Sequence, residues 1–370
     1  MIFATKVRLR PTLEQEQVLW RSAGIARWAY NWTLTKQEEN YKSGGKFIQD
    51  RELRKELTKL KQTEEYVWLQ NVSAQIPKQA IKDACDAYKR MFKKQAGKPK
   101  YKSKKWSKPA FYNRNDQFKA EGKRVHLEKI GWIKTSEIIP ISEKYSNPRV
   151  SFDGKYWYVS VGVEQEQEHV ELSGEVIGID VGIKELAVCS NGMVFKNINK
   201  SAAIRKTEKR LRRLQRKVSR KYEMNEEGSR FVKTSNIVKA EKQIRLLYRK
   251  LTNIRTNHIH QATSTIAKTK PSTIVMENLN VSGMMKNQHL SKAIANQKLH
   301  EFARQMEYKC ERIGAKFLKA DKWFPSSKMC SSCGQIKSSL KLSERIYECD
   351  CGLKIDRDLN ASINLSKLAA

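Results

Sequence analysis

The sequence predicts an α/β multidomain protein. Its 370 residues suffice for two or three domains, and 39% hydrophobic residues suffice for a real core. Stretches with the apolar spacing of helices are interspersed with short β-rich runs. Two such runs, Val176–Ile177 and Thr273–Met276, read as buried strands, and each is followed closely by an acidic residue.

The N-terminal region begins with a strand signal and continues with helix signals. Residues 3–9 alternate as a half-buried strand does, and Pro11–Thr12 starts a helical region. Further helices are predicted at 50–61 and 73–96.

Short strands dominate between residues 110 and 165, where Asp153–Gly154 predicts a tight type I′ hairpin turn. We expect residues 1–10 and 97–170 to form the two parts of a small β-barrel. The helices of 11–96 would then be an insertion between those parts.

The charge of the chain indicates a polyanionic partner. Lysine and arginine number 73 against 39 acidic residues, which gives a net charge of +34. Nucleic acid is the expected partner, with a ribosomal or architectural protein as the alternative to an enzyme. No run of about 18 apolar residues occurs, so we expect no membrane span, and the N-terminus lacks a signal-sequence pattern.

Two basic segments are candidates for contact with nucleic acid. Residues 93–108 interleave lysines with aromatic residues, which suits phosphate contacts by Lys102 and Lys104 and base stacking by Trp106. A solvated linker is the alternative.

Residues 199–260 predict a helical hairpin. The apolar residues from Ile237 to Ile254 alternate spacings of three and four, as in a coiled-coil seam. Asn191–Gly192, just before it, predicts another type I′ turn. The first arm of the hairpin is strongly basic and is expected to contact phosphates, although a solvated face is possible. Its candidate contacts are Arg212, Arg213 and Arg216.

Three acidic residues lie at the ends or starts of predicted elements. Asp180 ends one strand, Glu277 follows another, and Asp358 lies in the first turn of a C-terminal helix. Carboxylates without basic partners repel one another unless cations neutralise them. If these three converge on one sheet edge, they suit a phosphodiester hydrolase with two Mg²⁺ ions roughly 3.5–4 Å apart. Three unrelated surface carboxylates are the alternative.

Four of the seven cysteines form two close pairs near the C-terminus. Cys330 and Cys333 are followed by a glycine, and so are Cys349 and Cys351. Such turns hold sulfur ligands around one structural Zn²⁺, and four thiolates leave no position for a water molecule. A redox dithiol is the alternative. The second pair is one residue tighter than the usual spacing, so we expect some angular strain there.

Several segments together resemble the TnpB family, the RNA-guided nucleases of bacterial insertion sequences and relatives of type V CRISPR effectors. The most specific are Gly178–Lys184, Met276–Leu279, Phe324–Cys330 and Asp356–Ala361. The resemblance covers nearly the whole chain.

This resemblance implies a RuvC (RNase H-like) nuclease domain at 171–325 that includes the basic hairpin and carries the three acids as metal ligands. A zinc-binding, zinc-ribbon-like insertion at 326–354 would precede the last helix of that domain, 355–370. The barrel would be the family's wedge domain, and the inserted helices its recognition lobe.

The resemblance further implies an RNA-guided DNA endonuclease. Its partners would be a guide RNA transcribed from the end of its own element, with one protein per guide RNA, and a double-stranded DNA target beside a short motif. The protein would be cytoplasmic in a prokaryote and nucleoid-associated when bound to DNA. The alternatives are a non-cleaving RNA-guided repressor and a transposase acting on element ends.

Motif recognition is expected from the N-terminal 170 residues. Gln75 and Gln79 lie one helical turn apart on one face, and glutamine can read base edges. An ordinary solvated face remains the alternative for both.

Overall fold

A computed structural model describes residues 2–166, 170–228, 230–341 and 343–369. They form two compact units, which divide after Glu166. Helices and strands occur in both units, so the predicted mixed α/β class is confirmed. No helix within these ranges is both long enough and apolar enough to cross a lipid bilayer.

The first unit begins with one strand and three α-helices. These are β1 (Ile2–Arg10), α1 (Leu13–Lys42), α2 (Asp50–Leu60) and α3 (Gln75–Phe92), with a 3₁₀ helix at Glu64–Asn71 before α3. The side chain of Thr12 accepts a hydrogen bond from the amide of Gln15, and the Gln15 side chain bonds the Thr12 amide. This reciprocal cap starts α1 where the sequence predicts a helix to start.

Six further strands complete a seven-stranded antiparallel sheet. They are β2 (Ala110–Tyr112), β3 (Lys119–Glu121), β4 (Arg124–Leu127), β5 (Gly131–Thr135), β6 (Tyr145–Phe152) and β7 (Trp157–Glu164). The order across the sheet is β2-β6-β7-β1-β5-β4-β3. Because β1 pairs with β5 and β7, it belongs to the same sheet as the later strands. The three helices are therefore inserted along the chain between two strands of one sheet, β1 and β2. Among the described residues the outer strands β2 and β3 do not pair, so barrel closure stays a prediction.

The second unit contains nine strands and six α-helices within the described ranges. In chain order they are β8 (Ser173–Val181), β9 (Glu185–Cys189), β10 (Val194–Lys196), α4 (Ala202–Glu223), β11 (Glu226–Glu227), β12 (Arg230–Phe231), α5 (Ser235–Lys268), β13 (Pro271–Met276), α6 (Val281–Met284), α7 (Ser291–Gln297), α8 (Leu299–Ile313), β14 (Lys316–Lys319), β15 (Ile346–Glu348), β16 (Lys354–Asp356) and α9 (Arg357–Ser366).

Five of these strands form a mixed sheet in the order β10-β9-β8-β13-β14. The first three are joined as antiparallel neighbours, whereas β13 runs parallel to both β8 and β14. Buried residues of β8 and β13, such as Ile179 and Ile274, share a core with Phe302 of α8. The two predicted strands that precede acidic residues are therefore confirmed as neighbours inside one sheet.

The predicted helical hairpin is confirmed as α4 and α5. Its seam contains Ile204 and Leu211 from α4 and Leu251 from α5, all buried. Side chains of Ser201 and Thr234 cap the two helices at their N-termini. The second arm is longer than predicted and ends at Lys268.

Both predicted hairpins are present, but the type I′ turns are wrong. Their loops contain four residues, 153–156 and 190–193, between the paired strands. Gly154 and Gly192 have positive φ angles of 98° and 84°, whereas Asp153 and Asn191 do not. A type I′ turn requires positive φ at both central residues.

Candidate functional site

Asp180 and Glu277 lie at the same edge of the five-stranded sheet. Asp180 is the penultimate residue of β8, and Glu277 directly follows β13. The parallel register pairs Ile179 with Met276, so the next positions along the strands are the two acids. Neighbouring strands lie about 4.8 Å apart, which brings both carboxylates to one place.

Asp358 reaches this edge from the first turn of α9. The helix packs directly on β8 at Gly178, where an added Cβ would lie 2.5 Å from the amide nitrogen of Ser366. The neighbouring acid Asp356 is the N-cap, and its Oδ1 accepts from the amides of Asp358 and Leu359. Asp356 therefore caps α9, whereas the Asp358 carboxylate lies near enough to Asp180 for their charges to interact.

The three carboxylates interact electrostatically. Burial raises the pKa of Asp180 well above its usual value, and the charges of Glu277 and then Asp358 raise it further. Among the described residues, no three carboxylates have oxygens that all lie within 4.8 Å of one another, whereas four cysteine sulfurs do. A half-buried set of oxygen ligands that repel one another fits a divalent cation such as Mg²⁺.

Sequence reasoning missed several groups around Glu277. The buried hydroxyl of Ser326 donates a hydrogen bond to Oε1 of Glu277. A cavity of about 150 Å³ also opens beside Glu277, and its lining of apolar and polar residues includes His300, Arg304 and Lys319. Only the proximity of Ser326 to the cysteine motif, within the segment Phe324–Cys330, offered a signal in the sequence.

The four C-terminal cysteines form one cluster, as their spacing predicts. The Sγ atoms of Cys330 and Cys351 lie 3.6 Å apart, and so do those of Cys333 and Cys349. Tetrahedral zinc with Zn–S bonds near 2.3 Å requires sulfur separations of about 3.8 Å. The cluster therefore has the dimensions of a zinc site, and the shorter spacing of the second pair does not prevent this.

The protonation states of the cluster also favour a cation. Burial opposes ionisation of Cys330, but hydrogen bonds from the amides of Cys333 and Ser332 lower its pKa to about 6. The amide of Cys351 favours the Cys349 thiolate, yet burial and the neighbouring thiols raise the pKa of Cys349 to about 12. Several thiolates can coexist here only with a positive ion between them.

The remaining cysteines lie elsewhere. Cys85, Cys189 and Cys310 are buried, and burial raises the pKa of their thiols to about 11, about 12 and about 12. They are neutral packing groups in the hydrophobic cores.

The two candidate glutamines lie on α3 and are half-buried. Gln75 is the first residue of the helix. Gln79 donates a hydrogen bond of 2.9 Å to Asp83, which also forms a bidentate ion pair with Arg149. The side chains of Gln79, Asp83 and Arg149 line a cavity together with Lys102. Gln79 is therefore held in a polar network, whereas no such contact is recorded for Gln75 within the described structure.

The candidates of the basic segment differ in their surroundings. The ammonium of Lys102 lies 3.6 Å from the ring centre of Tyr30, and its backbone is held by the side chain of Asn31. Trp106 is 82% exposed, with the Lys105 ammonium 4.9 Å from its ring centre. Lys104 is exposed. The segment thus offers an exposed aromatic ring and several exposed lysines, Lys104 among them, while the Lys102 ammonium is already engaged by Tyr30.

The three arginines of the hairpin, which we call the α4 arginines, are all exposed on the outer side of the seam. They are Arg212, Arg213 and Arg216.

Fold and site together define a mixed α/β protein that has a carboxylate cluster at a sheet edge and a zinc-ribbon-like cysteine cluster. Family profiles match three parts of it. Residues 159–288 match a profile described as "Probable transposase", and 300–365 match "Cas12f1-like, TNB domain". Residues 1–46 match a "Helix-turn-helix domain", although the described part of that segment is one strand followed by one long helix.

Two relatives match along nearly the whole chain. "Putative RNA-guided DNA endonuclease InsQ" of Escherichia coli (strain K12) is 30% identical, over 98% of this chain and 91% of its own length. A "Putative RNA-guided DNA endonuclease" of Streptomyces pristinaespiralis is 31% identical, over 98% and 88%. The chain therefore belongs to the TnpB family.

A solved structure shares the fold. The protein in "Cryo-EM structure of the Cas12f1-sgRNA-target DNA complex" aligns with a TM-score of 0.60 at 15% identity, covering 99% of this chain and 98% of that one.

Proposed function

We propose that this protein is an RNA-guided DNA endonuclease that cuts double-stranded DNA beside a short motif. The observation that carries the proposal is the convergence of Asp180, Glu277 and Asp358 at one sheet edge in a member of the TnpB family. The net charge of +34 supports a large nucleic-acid partner. The guide would be transcribed from the end of the protein's own element, with one protein per guide RNA.

In this proposal residues 171–325 and 355–370 form the RuvC domain, and 326–354 the zinc-binding insertion. The mixed sheet with acids at the ends of two adjacent parallel strands supports this division. Residues 1–10 and 97–170 would be the wedge barrel, and 11–96 the recognition lobe. The insertion of three helices after β1 supports that assignment. We expect the protein to act in the cytoplasm, where bacterial DNA lies.

The chemistry would be hydrolysis of a phosphodiester bond in each strand in turn. Asp180, Glu277 and Asp358 would hold two Mg²⁺ ions. When bound, such ions activate the attacking water and stabilise the leaving oxygen. Asp180 would bind a cation best as an ionised carboxylate. Burial and then the charges of Glu277 and Asp358 raise its pKa, and bound cations would offset both effects. Asp356, as the cap of α9, would orient Asp358.

The cysteine cluster would hold one structural Zn²⁺. Metal analysis should find one zinc per chain, and Cys330→Ser combined with Cys349→Ser should remove it. Zinc retained by that double variant would contradict the assignment. A Cys85→Ser variant is the matched control, because its buried thiol lies in the core of the first unit.

Nucleic-acid contacts are proposed for exposed groups of both units. The α4 arginines and Lys104 would contact phosphates, and Trp106 would stack on a base. For Lys102, phosphate contact requires its ammonium to leave the Tyr30 ring. Gln75 and Gln79 are proposed to read the DNA motif.

The guide requirement has a direct test. RNA that copurifies with the protein should be enriched in one transcript from the end of its element. Changing the variable end of that RNA should redirect cutting to the matching DNA. Cutting that ignores the guide would favour a transposase or an unguided nuclease. Guided binding without any cutting would favour a repressor.

A further inference from the structure

Ser326 contacts the side chain that the proposed mechanism needs in a fixed orientation. Glu277 directly follows Met276, the last residue of β13, so its side chain lies beyond the end of that strand. The Ser326 hydroxyl donates to Oε1 of Glu277, and only 3% of Ser326 is exposed. A carboxylate can only accept, so the hydroxyl hydrogen is directed at that oxygen.

The position of Ser326 is set by the helix that carries Asp358. The Nδ2 atom of Asn364 donates to the carbonyl of Ser326 at 2.8 Å and to that of Met329 at 2.6 Å. Asn360, one turn earlier on α9, also donates to the Met329 carbonyl, at 2.7 Å. Both asparagines are almost completely buried. One rigid element thus holds one carboxylate directly and orients a second through Ser326.

We propose that Ser326 is a positioning residue that fixes the Glu277 carboxylate for binding a divalent cation. The inference rests on the proposed function and adds a residue to its site. Groups that hydrogen-bond a metal ligand typically contribute 10- to 100-fold in metal affinity, because they remove the freedom of the ligand to turn away.

A serine that only satisfies a buried polar group would behave differently. Its loss would lower the melting temperature and leave cation affinity unchanged. The neighbouring Ser327 supplies the control, since it is half-buried and no bond from it to Glu277 is recorded in the described structure.

The test measures Mn²⁺ binding by electron paramagnetic resonance on the full-length protein with its guide RNA. Binding by the RNA is subtracted with an Asp180→Asn sample. Ser326→Ala should weaken Mn²⁺ binding by about 10- to 100-fold and raise the Mg²⁺ concentration for half-maximal cutting by a similar factor. At saturating Mg²⁺ the cutting rate should largely recover. Ser327→Ala should match the wild type in both measurements.

Zinc content and melting temperature are measured on the same samples. If Ser326→Ala loses zinc or unfolds, Ser326→Cys takes its place, because a thiol fills the space of the hydroxyl but donates only weakly. Its Mn²⁺ binding should still be weaker than that of the wild type, and wild-type affinity in that variant would also overturn the inference. Wild-type affinity in a folded Ser326→Ala protein, or equal weakening by Ser327→Ala, would overturn the inference. Wild-type Mn²⁺ binding by Asp180→Asn would instead overturn the proposed carboxylate site itself.

Discussion

Gly178→Ala should disable the protein by moving α9. The added methyl would lie 2.5 Å from the Ser366 amide nitrogen and closer still to the Ser362 carbonyl oxygen. Ordinary contact begins at 3.4 Å, so the helix must retreat by about 0.9 Å or more. Asp358 moves with it. Catalytic groups must be held within about 0.5 Å, and a misplacement of about 1 Å can cost roughly 100-fold in rate.

The assay compares guided DNA cutting and thermal unfolding of Gly178→Ala with those of Gly174→Ala. Gly174 lies on the same strand, and its added methyl would meet nothing within 4 Å. Overpacking typically costs 1–3 kcal/mol, less than the usual stability of a domain, so the variant should still fold and bind DNA. We expect about 100-fold slower cutting for Gly178→Ala and little change for Gly174→Ala. Cutting by Gly178→Ala within about threefold of the wild type would show that the added methyl does not displace Asp358.

Three further predictions concern charge and base recognition. Because the folded protein raises the pKa of Asp180, metal-free wild type should lose stability as pH rises from about 4 through that raised pKa. Near pH 8, in magnesium-free buffer without chelator, Asp180→Asn should therefore have a higher melting temperature than the wild type. The difference should vanish near pH 4, and a lower melting temperature of the variant at pH 8 would contradict this prediction. Alanine at the α4 arginines should weaken binding to all nucleic-acid sequences alike. The slope of the binding constant against salt concentration, both as logarithms, should fall by about 1 per lost phosphate contact, and an unchanged slope would exclude such contacts. Alanine at Gln75 or Gln79 should cost roughly 1–3 kcal/mol of discrimination at one motif position in a randomised cleavage library, and an unchanged motif for both would remove them from the recognition site.

Local patterns predicted most of the elements that build the site. Thr12 starts α1, and the apolar seam of the hairpin is buried between α4 and α5. The convergence of Asp180 and Glu277 followed from two apolar runs, because the carboxyl ends of adjacent parallel strands share an edge.

The rest depends on contacts between distant parts of the chain. Ser326 and Glu277 are 49 positions apart, and their bond depends on the asparagines of α9. Likewise, nothing in the basic segment reveals that the Lys102 ammonium lies over Tyr30. The prediction of type I′ turns was wrong for a local reason, since only the glycine of each Asp-Gly or Asn-Gly pair has a positive φ.

We propose that the three acids form one catalytic metal site in a guided nuclease. The most direct test of this proposal measures cutting and binding of a guide-matched duplex by wild type and by Asp180→Ala, Glu277→Ala and Asp358→Ala, with Asp356→Ala alongside. We predict magnesium-dependent cutting by the wild type, almost none by the three variants and a milder loss for Asp356→Ala. Guide and target binding should be retained throughout. Robust cutting by purified Asp180→Ala would contradict the proposal.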